Sequence, residues 1–137
     1  MIYPNGRTLA IGSGHGRERH AHVAGDFFDS VPTQAEVYLL CGVIHDWSDE
    51  RALVILRNCR KAMGADGRVL IVETIVPEID SPSISKILGL KMMVMTTGRE
   101  RSKAECHALL DATDLTITRI IPTLAPQSIV EAIPTKK

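Results

Sequence analysis

Two short apolar runs, residues 36–42 (EVYLLCG) and 68–73 (RVLIVE), flank a segment of helical periodicity, and this strand–helix–strand pattern most limits the possible folds. Continuous apolar runs of strand length are expected of parallel strands covered on both faces. Between them, Ser48 offers an N-cap and Asp49 and Glu50 stand at the positive end of the helix. Ala52, Leu53, Ile55, Leu56, Cys59 and Met63 line one helical face, and Gly64 ends it. Downstream, Ser102 and Glu105 form a capping-box pattern for a helix through about Thr113. Residues 115–121 and 128–133 read as two strands joined by a turn containing Pro126, most simply an antiparallel pair. His20–Ala24 is a short strand candidate, and residues 84–96, apolar and Met-rich, are expected to be helical. Residues 1–18 carry no clear period and are expected to be irregular, leaving 19–137 as the α/β unit.

The composition narrows the partners. Sixteen basic and sixteen acidic residues cancel, which gives no electrostatic footprint for nucleic acid or an anionic membrane. No apolar run approaches the ~20 residues of a membrane span, and the first residues do not form a secretory signal. Cys41, Cys59 and Cys106 are widely spaced and odd in number, which fits a reduced, cytoplasmic setting. With aromatics at only 4 %, the core must be filled by aliphatic residues and Met.

His45 is the sharpest candidate for chemistry. It follows the C-terminal end of a predicted parallel strand, where ligands of open α/β sheets gather. An imidazole with a pKa near ~6.5 can take a proton from a phenolic hydroxyl at neutral pH. The plainer reading is a histidine that packs at a helix entry. Glu73 ends the second strand on the same sheet edge, and otherwise reads as a solvated carboxylate. Glu100, in GRERS, otherwise reads as one charge among Arg99, Arg101 and Lys103 on a surface turn. Gly12, Gly14 and Gly16 resemble a nucleotide-binding turn, but only nine residues separate Gly16 from Asp26, too few for the helix and strand such a turn opens. His15, His20 and His22 lack a completing Cys or acid at ligand spacing, so no metal is expected. Neither a Gly-x-Ser-x-Gly elbow nor a Cys-x-x-Cys pair occurs.

Residues 25–50, GDFFDSVPTQAEVYLLCGVIHDWSDE, together with VETIVPE and GRERS, closely resemble the small-molecule O-methyltransferases of the caffeic-acid and acetylserotonin type and their bacterial polyketide-tailoring relatives. The resemblance runs from about Arg19 to Pro134. It implies an incomplete Rossmann-like class I methyltransferase sheet, with strands 3 to 7 present and strands 1 and 2 absent. His20–Ala24 would then be strand 3, and strand 4 (residues 36–42) would lie at an open, apolar edge. It implies S-adenosylmethionine as methyl donor and a small hydroxylated aromatic or polyketide-type metabolite as acceptor. His45 would be general base, with Glu73 and Glu100 orienting it. Asp26 would bind the adenine amino group and Phe27 would pack on the ring. Cys41 stands where a Lys usually contacts the cofactor, and Met92 would line the acceptor pocket. Family members are homodimers through an upstream helical domain that is not expected in this chain. Asp114 replaces the usual Gly before strand 6. A non-catalytic remnant or partner subunit is the alternative to an enzyme, and an offshoot with other chemistry a third reading.

Overall fold

The structure, a computed structural model, describes residues 7–11, 20–77 and 98–136. Seven strands and two α-helices are defined: β1 (Arg7–Ile11), β2 (His20–Ala24), β3 (Val37–Cys41), a 3-10 turn (Ile44–Asp46), α1 (Asp49–Ala62), β4 (Arg68–Val76), β5 (Arg101–Ser102), α2 (Lys103–Asp111), β6 (Leu115–Pro122) and β7 (Gln127–Pro134). The main sheet has the order β3-β4-β7-β6, with β5 pairing to β4. β3 and β4 are parallel, whereas β7 is antiparallel to both β4 and β6. β3, β4, β6 and β7 stand for the strands 4 to 7 that the resemblance implies.

The elements form where the residue pattern places them. α1 begins at Asp49 behind Ser48, although the Ser48 side chain makes no capping bond. Its inner face, Ala52, Ile55, Leu56 and Cys59, has no solvent exposure. α2 has the complete capping box: Glu105 N–H donates to Ser102 Oγ at 3.3 Å and Ser102 N–H to Glu105 Oε2 at 2.8 Å. On the sheet, Tyr38 pairs with Val69 and Leu40 with Ile71, and the same rungs continue to Ala132 and Val130. These six side chains share one core with both helices. Asp114 takes φ 57°, the left-handed conformation that the usual Gly would adopt freely. There its carbonyl accepts from Thr135 N–H at 2.9 Å and closes the α2–β6 turn onto the end of β7.

Three expectations are corrected. Arg7–Ile11, expected to be irregular, is a strand, and β2 pairs antiparallel with it in a separate two-stranded sheet instead of standing alone as strand 3. A lone strand leaves its N–H and C=O groups unpaired, and RTLAI supplies the missing ladder. Second, β3 is not covered on both faces by the described residues: Tyr38 and Leu40 are buried, but Val37 and Cys41 are exposed. The helices described all join the core on the Tyr38 face. Third, β4 extends three residues past Glu73, to Val76. The expected helix at 84–96, and with it Met92, lies outside the described residues, as do Gly12, Gly14 and Gly16.

Leu40 is fully buried at the centre of this core, while Val54 on α1 is 37 % exposed. Leu40→Ala is expected to destabilise the fold by about 2–5 kcal/mol. Val54→Ala should stay within about 0.5 kcal/mol. Urea unfolding followed by far-ultraviolet circular dichroism checks both.

Candidate active site

The chain leaves β3 through Gly42, whose φ of +62° lets it turn sharply over the sheet edge. Gly42 N–H donates to Val72 O at 3.1 Å, which holds the turn to β4. A Cβ on Gly42 would lie 3.8 Å from His45 Nε2, so the absence of a side chain keeps the flank of that nitrogen open. His45 sits in the middle of the 3-10 turn that follows.

Two buried carboxylates fix it. Glu73 Oε1 accepts the backbone N–H of His45 at 2.9 Å, and Glu100 Oε1 lies 3.2 Å from His45 Nδ1. Glu73 and Glu100 are each only 8 % exposed, so neither is the solvated surface acid of the plainer reading. In the neutral imidazole, an Nδ1–H donated to the Glu100 carboxylate leaves the lone pair on Nε2. Asp46 Oδ1 lies 3.4 Å from that Nε2.

The electrostatics follow from this packing. The Glu100 hydrogen bond holds the His45 pKa above its usual value, with smaller support from the charges of Glu73, Glu100 and Asp46, while partial burial opposes the shift. Burial pushes Glu73 up to about 7, against the pull of His45 and Arg101. Part of that burial comes from an apolar wall, because a cavity of about 20 Å³ lined by Ile44, Ile71, Ile75 and Leu109 lies beside Glu73. Two groups with raised pKa, His45 and Glu73, thus lie side by side, and the charge of each pulls on the other.

The segment around Glu100 is packed against the turn at every residue. A Cβ on Gly98 would fall 1.7 Å from His45 O and 2.4 Å from Asp46 C, so only glycine allows the two backbones to meet. Arg99 pairs with Asp49 and Glu105, and Arg101 is 3 % exposed. In the plainer reading of Glu100 these arginines lie on a surface turn. Spacing gave no other signal, because most of their partners are the 44–49 backbone and side chains some 50 residues away.

On the other side of the turn, Asp26 is exposed, and its Oδ1 accepts Phe28 N–H at 2.8 Å in an Asx-type turn. Phe27, expected to cover a purine, is 1 % exposed and belongs to the core. Its carbonyl and that of Phe28 both accept from Asn58 Nδ2 at 2.9 Å, which fixes the loop to α1 and turns the first ring inward. The half-buried rings are instead Phe28 and Trp47, edge-to-face at 4.9 Å. The Arg51 guanidinium lies 4.3 Å from the Phe28 centroid and 4.9 Å from that of Trp47. Trp47 Nε1 is a buried donor without a hydrogen-bond partner among the described residues. Cys41 is exposed at the end of β3. Thus His45, Glu73 and Glu100 are brought together, Asp26 and Cys41 are placed at loop and strand ends, and Phe28 and Trp47 are aromatic surfaces that the residue pattern did not single out.

A family model described as an O-methyltransferase domain matches residues 10–114. Phenazine O-methyltransferase PhzM of Lysobacter antibioticus is 44 % identical over 117 residues, covering 85 % of this chain and 34 % of that protein. O-demethylpuromycin-O-methyltransferase of Streptomyces alboniger is 41 % identical over 122 residues, covering 85 % and 32 %. Among solved structures, CalO1, a methyltransferase in calicheamicin biosynthesis in its SAH-bound form, superposes with a TM-score of 0.78 at 39 % identity, over 82 % of this chain and 34 % of that one. The chain spans about a third of the length of the curated relatives it matches.

Two outcomes follow from the geometry. Gly98→Ala must force two backbones apart and is expected to destabilise the protein by about 1–3 kcal/mol, with loss of the His45–Glu100 contact visible in the imidazole NMR shifts. For pH, Glu73 binds its proton more tightly folded than unfolded between its ordinary 4.5 and about 7, so its contribution to stability falls as pH rises through that window. His45, also raised, contributes fully below its unfolded pKa and loses that contribution as pH climbs through its folded value. Urea unfolding across pH should therefore show a decline toward neutrality, and Glu73→Gln should flatten it.

Proposed function

The chain belongs to the O-methyltransferase family, and from that membership we propose that it acts in methyl transfer from S-adenosylmethionine to a hydroxyl of a small aromatic or polyketide-type metabolite, with His45 as general base. The observation that carries this reading is the placement of His45: Nδ1 on buried Glu100, backbone N–H on buried Glu73, and Nε2 beside Gly42 with Asp46 Oδ1 at 3.4 Å.

The residues present suit the donor molecule. Exposed Asp26 can accept from an exocyclic amine, the Phe28 ring can cover a flat base, and the orphaned Trp47 Nε1 offers a hydrogen bond to a polar edge. Phe28 takes the packing role that buried Phe27 does not fill, and Cys41 lies nearby in sequence at the strand end. When bound, S-adenosylmethionine supplies an electrophilic methyl on a sulfonium. Met92 remains a candidate for the acceptor pocket.

Methyl transfer needs little else than a deprotonated oxygen in line with the methyl carbon. Nε2 takes the hydroxyl proton. Glu100 then holds the resulting imidazolium through Nδ1–H, and Asp46 stands within reach of the new Nε2–H. Glu73 keeps the turn from swinging, because rotation of the His45 peptide would leave its carboxylate buried without this donor.

A second reading, a partner subunit that completes its site only with another chain, is favoured by one feature. β3 has a single strand neighbour among the described residues and exposes Val37.

The test is methyl transfer by the purified chain from labelled S-adenosylmethionine to a panel of phenols and naphthols. His45→Ala should cost about 10²–10⁴-fold, and undiminished transfer by that variant would overturn the base assignment. The acidic limb of the rate profile should lie above ~6.5, since His45 is raised, and Glu100→Gln should move it down. A folded chain that neither transfers methyl nor binds the donor by calorimetry would favour the partner-subunit reading.

A further inference from the structure

Arg101 is 3 % exposed and has no part in the chemistry above. Its guanidinium is fully engaged. Nε donates to Asp49 Oδ1 at 2.9 Å, Nη1 to Ile44 O at 3.1 Å and Arg99 O at 3.4 Å, and Nη2 to Trp47 O at 2.9 Å, with the same Asp49 oxygen 2.8 Å from Nη2. Two of these acceptors, Ile44 O and Trp47 O, bracket His45. The turn between them closes with only two backbone bonds of its own, Asp46 N–H to Val43 O and Trp47 N–H to Ile44 O, both 3.2 Å. A three-residue 3-10 turn with such bonds does not hold one conformation unaided. The planar fork meets both ends of it at once and anchors them to the first residue of α1.

We propose that Arg101 is a positioning residue for the base: its guanidinium clamps the 44–47 turn in the one conformation that sets His45 Nδ1 against Glu100. This rests on the reading of His45 as the base. A lysine keeps the charge but replaces a rigid fork with a compact ammonium, so it cannot reach Ile44 O, Trp47 O and Asp49 in the same plane. The charged and titratable groups acting on His45 are Asp46 on its own turn, Glu73 on β4 and Glu100 from the 98–101 segment, while the Arg101 guanidinium acts on Glu73. Loss of a cation near this group would by itself raise the titration midpoint of His45. Loss of the Glu100 hydrogen bond would lower it. The two effects have opposite signs and can be separated.

The experiment is an NMR titration of the His45 imidazole in the full chain, assigned with His45→Ala, for wild type, Arg101→Lys and Arg101→Met, alongside thermal unfolding. The expected result is a fall of the His45 midpoint in Arg101→Lys toward the value of a free histidine, and a fall in Arg101→Met despite its lost charge. If Arg101→Lys does not fold, Arg101→Met decides alone: a fall supports the proposal and a rise overturns it. A folded Arg101→Lys with lowered melting temperature but unmoved His45 midpoint overturns it, because Arg101 is then a structural tie only. Failure of both variants to fold also overturns it, since the residue then serves the whole fold. The titration needs no methyl transfer, so the clamp can stand where the enzymatic reading fails, and an unmoved midpoint leaves the test of His45→Ala intact.

Discussion

The bond from His45 N–H to Glu73 Oε1 is the contact on which the site depends. A chain that leaves a strand end can cross the sheet edge in many directions. Here Gly42 permits a sharp turn, and the Glu73 carboxylate captures the peptide that must follow it. Burying that carboxylate is costly, and a backbone donor offsets part of the cost. The rest appears in its titration, since the proton leaves only near neutrality. The imidazole side of the turn is then held between two buried acids. Its raised basicity and its fixed tautomer come from the same packing.

Much of the fold was legible from residue order alone. The runs at 36–42 and 68–73 and the amphipathic segment between them made β3, α1 and β4, because apolar periodicity records burial directly. The capping box at Ser102 and Glu105 was equally readable, since both partners lie within one turn. The strand at Arg7–Ile11 was not, because its ladder depends on pairing with β2, and RTLAI alone shows no clear period. At the site, His45 and Glu73 were marked by their place at strand ends as well as by resemblance to a family, Glu100 by resemblance alone, and their burial came only with coordinates. Phe27 and Phe28 show the limit best. Two adjacent identical residues differ in role because Asn58, on α1, holds both of their carbonyls. The roles of Gly98 and Arg101 were equally hidden, since each acts on backbone atoms, and backbone partners leave no mark in residue identity.

The 98–101 segment also shows how few residues hold the surroundings of His45 in place. Four consecutive residues each meet the 44–49 region differently: Gly98 by close approach, Arg99 by an ion pair, Glu100 at the imidazole, and Arg101 through carbonyls. Such a strip leaves little freedom to slide, because a one-residue slip would exchange a glycine for an arginine at the tightest point.

Glu73 lies 28 residues after His45 and Glu100 lies 55 residues after it. During synthesis from the N-terminus, the first acid therefore becomes available with the β3–α1–β4 unit, and the second only after a much longer stretch has been made. Closing that longer loop carries its own entropic cost, so the imidazole passes through an interval in which it is anchored by its peptide yet free to rotate. The surroundings of the imidazole are thus finished late, and a ribosome-bound chain released before residue 101 would carry a histidine in place but not yet tuned.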